Sequence, residues 1–182
     1  MTASLVPISL RLTGRRVVVV GGGHVASRRT SSFLEAGAEV VVIAPELSAA
    51  LAARVERREV AWVARPYQTG DLDGAWLVQT ATADPVTDEA VARDAENARL
   101  WCLKGGDPEH ASAWMPATGR VDDIVVSVNA GGDARRAATL RDALVTALES
   151  GELPLRHRTH HPGGKVALVG AGPGDPGLLT TR

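Results

Sequence analysis

A chain of 182 residues is long enough for one domain with a sound core, or for one domain plus an appendage. Its net charge of −1 supplies no general basic field for nucleic acid, and no apolar run reaches the roughly 18 residues that a bilayer span needs. Cys102 is the single cysteine, which excludes an internal disulfide and a cysteine metal cluster. The first residues lack the charged and apolar regions of a signal peptide, so the cytoplasm is the default compartment.

Residues 5–12 form a short apolar lead-in that reads as an edge strand. Thr13-Gly14 turns it into a β-branched run at 16–20, a core strand. A helix is expected from 24 to 36, closed by Gly37. A second strand covers 39–43, and Pro45 breaks it ahead of a helix over 46–54. Strands are expected at 60–63 and 75–81, separated by a loop of turn residues. Asp84-Pro85 opens a helix to Asn97 with an N-cap and a first-turn proline, and a fifth strand follows at 100–103. Strand and helix alternate, which predicts an α/β fold: a Rossmann-like, doubly wound parallel sheet.

The pattern changes after Lys104. Residues 105–110 read as a loop, 121–129 as one strand with a polar entry, and 129–133 as a turn. Asp133 caps a helix over 134–149 that carries Ala137, Leu140, Leu144, Val145 and Leu148 on one side. These elements form a small α+β appendage that packs on the first domain or pairs with a second copy. Residues 151–164 read as a linker, and 165–182 start a new strand and a Gly/Pro-rich loop. The expected division is 1–112, 113–150, 151–164 and 165–182.

The organising motif is Gly21-Gly22-Gly23-His24-Val25-Ala26 between the first strand and the first helix. Gly21, Gly23 and Ala26 fit G-x-G-x-x-G/A, the dinucleotide fingerprint. Gly21 can take the turn, Gly23 leaves room for a pyrophosphate, and Ala26 lets the helix lie close to the strand. The helix N-terminus then offers free N–H groups to the phosphates. Arg28 and Arg29 stand next on this helix, readable as a 2′-phosphate contact or as a solvated face.

Three stretches together resemble the N-terminal module of siroheme synthase, the precorrin-2 dehydrogenase/sirohydrochlorin ferrochelatase family. They are Val20 to Arg29, Trp76 to Asp84, and Cys102 through Ala111-Ser-Ala-Trp-Met-Pro to the glycines at 131–132. The resemblance covers about residues 5–150. The tail from Gly170, reading G-x-G-P-G-D-P-x-L-L-T, resembles the opening of a uroporphyrinogen-III C-methyltransferase domain and is read as its truncated start.

The resemblance implies oxidation of precorrin-2 to sirohydrochlorin with NAD, and in some members Fe²⁺ insertion to give siroheme. It implies a homodimer whose contact lies in the appendage. It places cofactor contacts on Gly21, Gly23, His24 and Val25, then on Pro45 and Glu46. Glu46 comes slightly late for a ribose-binding acid, and a first-turn helix acid is the other reading. Thr80 and Thr82 end the fourth strand, where they line the cofactor crevice or cap the strand.

The family's catalytic aspartate lies in the loop after the fifth strand. Counting without gaps puts Gly106 at that position, and Asp107 is the next residue. Asp107 is therefore either the catalytic carboxylate, shifted by one, or a turn residue before Pro108. The substrate carries eight carboxylates and calls for a basic wall; Arg120, Arg135 and Arg136 are the candidates, with Arg141 beside them. A solvated helix face is the alternative. His110 is a candidate to take pyrrole protons, and His157, His160 and His161 read as incidental to a linker, so no fixed metal site is implied. Two other readings stand beside the dehydrogenase: an NAD(H)-binding regulatory module without turnover, and the N-terminal fragment of a multifunctional enzyme.

Overall fold

A computed structural model of the chain describes residues 5–105, 107 and 110–153. The linker from 154 onward, the tail at 165–182, its histidines and Gly106 lie outside the described residues.

The elements are β1 (Arg16–Val20), α1 (His24–Glu35), β2 (Glu39–Ile43), α2 (Ala49–Glu56), β3 (Ala61–Val63), β4 (Leu77–Thr80), α3 (Pro85–Asn97), β5 (Trp101–Leu103), β6 (Ala117–Val121), β7 (Ile124–Val128) and α4 (Ala134–Glu149). Five strands form one parallel sheet in the order β3-β2-β1-β4-β5. Strand order reverses between β1 and β4, where the carboxyl ends of the strands open a crevice. The expected doubly wound Rossmann-like sheet is thus the observed one.

The four valines of β1 have no polar alternation because both faces of the strand are covered. Val17 and Val19 pack with Ala26 and Phe33 of α1 on one side. Val18 and Val20 pack with Val91 and Ala95 of α3 on the other. Asp84 caps α3 as its sequence predicts, its carboxylate accepting from the N–H groups of Val86 and Thr87.

Three expectations need correction. Residues 5–12 form no strand; most of them are exposed, and Leu12 alone is buried in the core. The apolar lead-in is therefore held at one point, with no ladder partner in the sheet. The second helix starts at Ala49 rather than 46, because Ser48 takes the extended N-cap conformation after Pro45. Glu46 thus precedes the helix, which removes its reading as a first-turn acid. The single strand expected at 121–129 is the second half of an antiparallel hairpin, β6–β7. Asp122 and Asp123 form its turn, Asp122 in the left-handed region at φ 51°, a conformation that aspartate tolerates. The first strand of the hairpin, which carries Gly119, falls in a segment to which the sequence pattern assigned no element. Gly119 is needed there: a Cβ would lie 2.5 Å from Val145 Cγ2 and 2.9 Å from Arg141 Cδ, so its absence lets α4 lie close to the hairpin.

Ala113 and Met115, on the segment leading to β6, pack against the core of the parallel sheet. Ala113 N–H donates to the Cys102 carbonyl at 3.1 Å, and Ser112 Oγ accepts from Cys102 N–H at 2.8 Å. The segment leading to the appendage is thus tied to β5 through one backbone bond and one bond to a serine hydroxyl.

Leu51 is the one fully buried residue of α2, at 0% exposure. Replacing it by alanine leaves a cavity beneath a two-turn helix. We expect Leu51→Ala to cost about 2–5 kcal/mol in urea unfolding; a change below about 1 kcal/mol would mean that α2 is not anchored through this side chain.

Candidate dinucleotide site

The turn between β1 and α1 stands at the β1/β4 crevice. Gly21 has φ +121°, and a Cβ on it would collide with the Ala81 carbonyl after β4. Glycine is required here on two counts, conformation and space. Gly23 differs: its φ is ordinary, and a Cβ on it would meet nothing within 4 Å. The missing Cβ leaves open space over the N-terminus of α1. That helix has no side-chain cap and no acid in its first turn, so its positive end is not neutralised from within. Gly23, His24 and Val25 are all exposed there. The uncapped turn and its open space fit the pyrophosphate of a dinucleotide.

Gly22, a variable position of the fingerprint, proves as constrained as its neighbours. A Cβ on Gly22 would overlap the Glu46 carbonyl, and Ser48 N–H donates to the Gly22 carbonyl at 2.7 Å. The loop after β2 therefore rests on the glycine turn. Trp62 holds the same loop from β3, its Nε1–H donating to the Ala44 carbonyl at 2.9 Å. Pro45 and Glu46 are exposed at this edge. Sequence reasoning missed Gly22 and Trp62, since the fingerprint is indifferent to one and the other reads as a plain strand residue.

Thr80 is fully buried, and its Oγ1 accepts from Gly105 N–H at 3.0 Å. It ties the ends of β4 and β5 together. Thr82 lies beside Gly21 through its backbone, its N standing 3.1 Å from the place of a Gly21 Cβ. Its hydroxyl donates to Asp88 Oδ1 at 2.7 Å and accepts from Asp84 N–H at 3.1 Å. The hydroxyl thus serves the start of α3, and the backbone faces the turn.

Asp107 lies two residues beyond Gly105, at the same edge of the sheet. Lys104 Nζ is 3.0 Å from Asp107 Oδ2 and 2.8 Å from Glu89 Oε2 on α3. His110 Nδ1 is 2.9 Å from both Asp107 oxygens. The bonds to His110 and Lys104 bring the Asp107 carboxyl down to about 2, and the two carboxylates push Lys104 up to about 12. Asp107 is therefore held as an ion. Such a carboxylate is a poor proton acceptor but a strong partner for positive charge. Lys104 carries no sequence signal of this role; it is the first residue past a strand.

The arginines separate. Arg120, on β6, and Arg135 and Arg136, in the first turn of α4, are exposed. Arg141 is engaged, donating to the Thr118 carbonyl at 3.2 Å and pairing with Asp142 at 2.7 Å. On α1, Arg28 is exposed, whereas Arg29 is half-buried against Met115. No helix among the described residues is long and apolar enough to cross a membrane.

The chain is similar to known proteins in sequence and in fold. A siroheme synthase from Azotobacter vinelandii is 32% identical over 97% of this chain and 50% of its own length. Siroheme synthase 3 from Aeromonas hydrophila subsp. hydrophila is 30% identical over 96% of this chain and 49% of its own. The chain thus spans about half the length of the curated relatives it matches. These alignments run over 230 and 228 residues against the 182 present here, so the relatives carry residues inside the matched span that this chain lacks. Among solved structures, SirC, a precorrin-2 dehydrogenase, superposes with a TM-score of 0.67 at 24% identity, covering 78% of this chain and 70% of that one. That likeness shows a common fold. The family model described as putative NAD(P)-binding matches residues 8–117, more than half of the sequence, and the chain belongs to that family.

Proposed function

We propose that this chain is an NAD-dependent dehydrogenase that oxidises precorrin-2 to sirohydrochlorin. The observation that carries the reading is the pairing at one sheet edge of an uncapped glycine turn, at Gly21–Gly23, with a carboxylate fixed as an ion, Asp107. The siroheme synthase relatives and the precorrin-2 dehydrogenase neighbour support the substrate class. The compartment that follows is the cytoplasm, where the NAD⁺ for such a reaction is held.

In this reading Gly21, Gly23, His24 and Val25 hold the pyrophosphate, and Pro45, Glu46 and the Thr82 backbone border the rest of the dinucleotide. When bound, NAD⁺ supplies the hydride acceptor. Precorrin-2 loses two hydrogens, one with its electron pair as hydride and one as a proton released to water at the exposed edge near His110. As hydride leaves, positive charge grows on the macrocycle. The Asp107 carboxylate, kept ionised by Lys104 and His110, stabilises that charge. Arg120, Arg135 and Arg136 face the substrate's carboxylates. Fe²⁺, where it is taken up, is a second substrate at the same edge, seen as siroheme absorbance when iron is added to the completed reaction.

The same clamp on Asp107 favours a second reading, an NAD(H)-binding regulatory module without turnover. Wild-type protein that binds NAD⁺ but releases no sirohydrochlorin from precorrin-2 under anaerobic conditions would select it.

The appendage supports a homodimer. Val125 on β7 and Leu140 and Leu144 on α4 are 50%, 44% and 41% exposed, a large apolar share for so small a unit. Leu144→Glu is expected to shift the mass measured by light scattering from two chains towards one.

Two further outcomes follow from the site. Gly23→Ala should fold with unchanged thermal stability, because its Cβ meets nothing, yet bind NAD⁺ about tenfold or more weakly by calorimetry. Gly21→Ala should lose both stability and binding, and equal effects of the two substitutions would remove the pyrophosphate from this turn. Asp107→Asn should lower kcat by about 10²–10³. The carboxyl is depressed to about 2, so the clamp's contribution to stability is present above the ordinary carboxyl range and is lost only as pH falls through about 2. The acid side of the kcat/KM profile should accordingly show no limb at pH 4–5 from this group. Such a limb, removed by Asp107→Asn, would mean that the carboxylate is not held as an ion.

A further inference from the structure

Among the arginines near the site that have no acid beside them, Arg28, Arg120, Arg135 and Arg136 are exposed and Arg29 is half-buried. It lies about 7 Å along the helix axis from His24, on the flank of the α1 face that carries Ala26, Thr30 and Phe33 into the core. Arg54, Arg57, Arg65 and Arg141 each pair with a carboxylate. Arg29 does not, among the described residues. Its Nη1 donates to Met115 Sδ at 2.7 Å, and its Nε is buried with no acceptor. Burial and the neighbouring charge of Arg28 both work against its ionised form. A guanidinium nevertheless stays charged in proteins, and a thioether is a weak acceptor. A half-buried cation in these surroundings is costly until an anion completes it.

The surroundings bear on where such an anion would come from. Met115 leads into β6. Trp114, next to it, reaches the turn before α4: a Cβ on Gly132 would stand 4.0 Å from its ring. Arg135 and Arg136 follow that turn in the first turn of α4. Arg29, Met115, Trp114, Gly132 and the two α4 arginines therefore follow one another from the dinucleotide helix to the appendage. A large polyanion reaching from the cofactor edge towards the appendage would cross this line.

We propose that Arg29 is a binding residue for one carboxylate side chain of the acidic tetrapyrrole substrate, accepted in a fork by the guanidinium. The inference rests on the dehydrogenase reading for the identity of the ligand. It adds a substrate contact on the dinucleotide-binding domain itself, in addition to the arginines of the appendage.

The test uses uroporphyrin I, a stable porphyrin with eight carboxylates, titrated by fluorescence into the full chain with NAD⁺ present. Arg29→Met is expected to weaken its Kd about ten- to a hundredfold, and Arg29→Lys, which keeps the charge but loses the fork, to restore part of the loss. NAD⁺ affinity and chain mass should be unchanged in both. The proposal is overturned by a porphyrin Kd within twofold of wild type in Arg29→Met, or by wild type that does not bind the porphyrin. Parallel loss of NAD⁺ affinity also overturns it, since the guanidinium would then serve the dinucleotide. A shift of mass towards one chain with the porphyrin Kd intact overturns it in favour of an acid from a second copy. Wild type that binds the porphyrin through Arg29 yet turns over no precorrin-2 leaves the carboxylate contact standing and defeats only the dehydrogenase reading.

Discussion

The structure depends on three backbone-to-backbone approaches at one sheet edge, each closer than a side chain would allow. Gly21 faces the Ala81 carbonyl, Gly22 faces the Glu46 carbonyl, and a Cβ on Gly105 would stand 2.7 Å from the Thr80 carbonyl. Each contact joins a different pair of loops: β1 to β4, β1 to β2, and β5 to β4. Together they fix the carboxyl edge of the parallel sheet as one surface. Among the described glycines of this edge Gly23 alone is spared, and its free space is where the chain leaves room for something else. Packing thus separates glycines the fold requires from the glycine a ligand would require.

This separation explains what could be read beforehand and what could not. The valine run, the glycine turn and the Asp84-Pro85 cap are local signals, each set by residues adjacent in sequence, and each gave the right element. The β6–β7 hairpin was harder. Its turn, Asp122-Asp123, has the composition of a polar strand entry, and its first strand contains a glycine that only the approach of α4 explains. The lead-in failed for the opposite reason: Leu5, Val6, Ile8 and Leu10 have strand composition, yet they stay exposed while Leu12 alone enters the core. The start of α2 moved because Ser48 is the N-cap, so Glu46, read as the first helical residue, precedes the helix.

Within the site, the glycine positions were legible because a motif carries their spacing. The electrostatics were not. Lys104 and His110 flank Asp107 at three residues' distance in sequence, but Glu89, the other partner of Lys104, comes from α3. Only the parallel neighbours β4 and β5 bring that helix to the loop. Arg28 and Arg29 are adjacent, identical in type and equivalent in any composition argument. The helix turns by about 100° between them, so one meets water and the other meets Met115.

That difference bears on how a polyanionic substrate would be held. Exposed arginines such as Arg120 and Arg135 draw an anion in from a distance, but salt screens them and their side chains must be ordered on contact. A half-buried guanidinium already held against Met115 has lost most of that freedom and much of its water before the ligand arrives. A carboxylate reaching it meets a pre-formed donor in a less polar setting, where each hydrogen bond counts for more. On the proposed reading, the exposed arginines of the appendage and the enclosed one on α1 would therefore serve different tasks, capture and registration. A macrocycle fixed at one carboxylate by Arg29 would have its rotation over the sheet edge restricted, and that restriction is what a hydride transfer between two flat rings most needs from a protein.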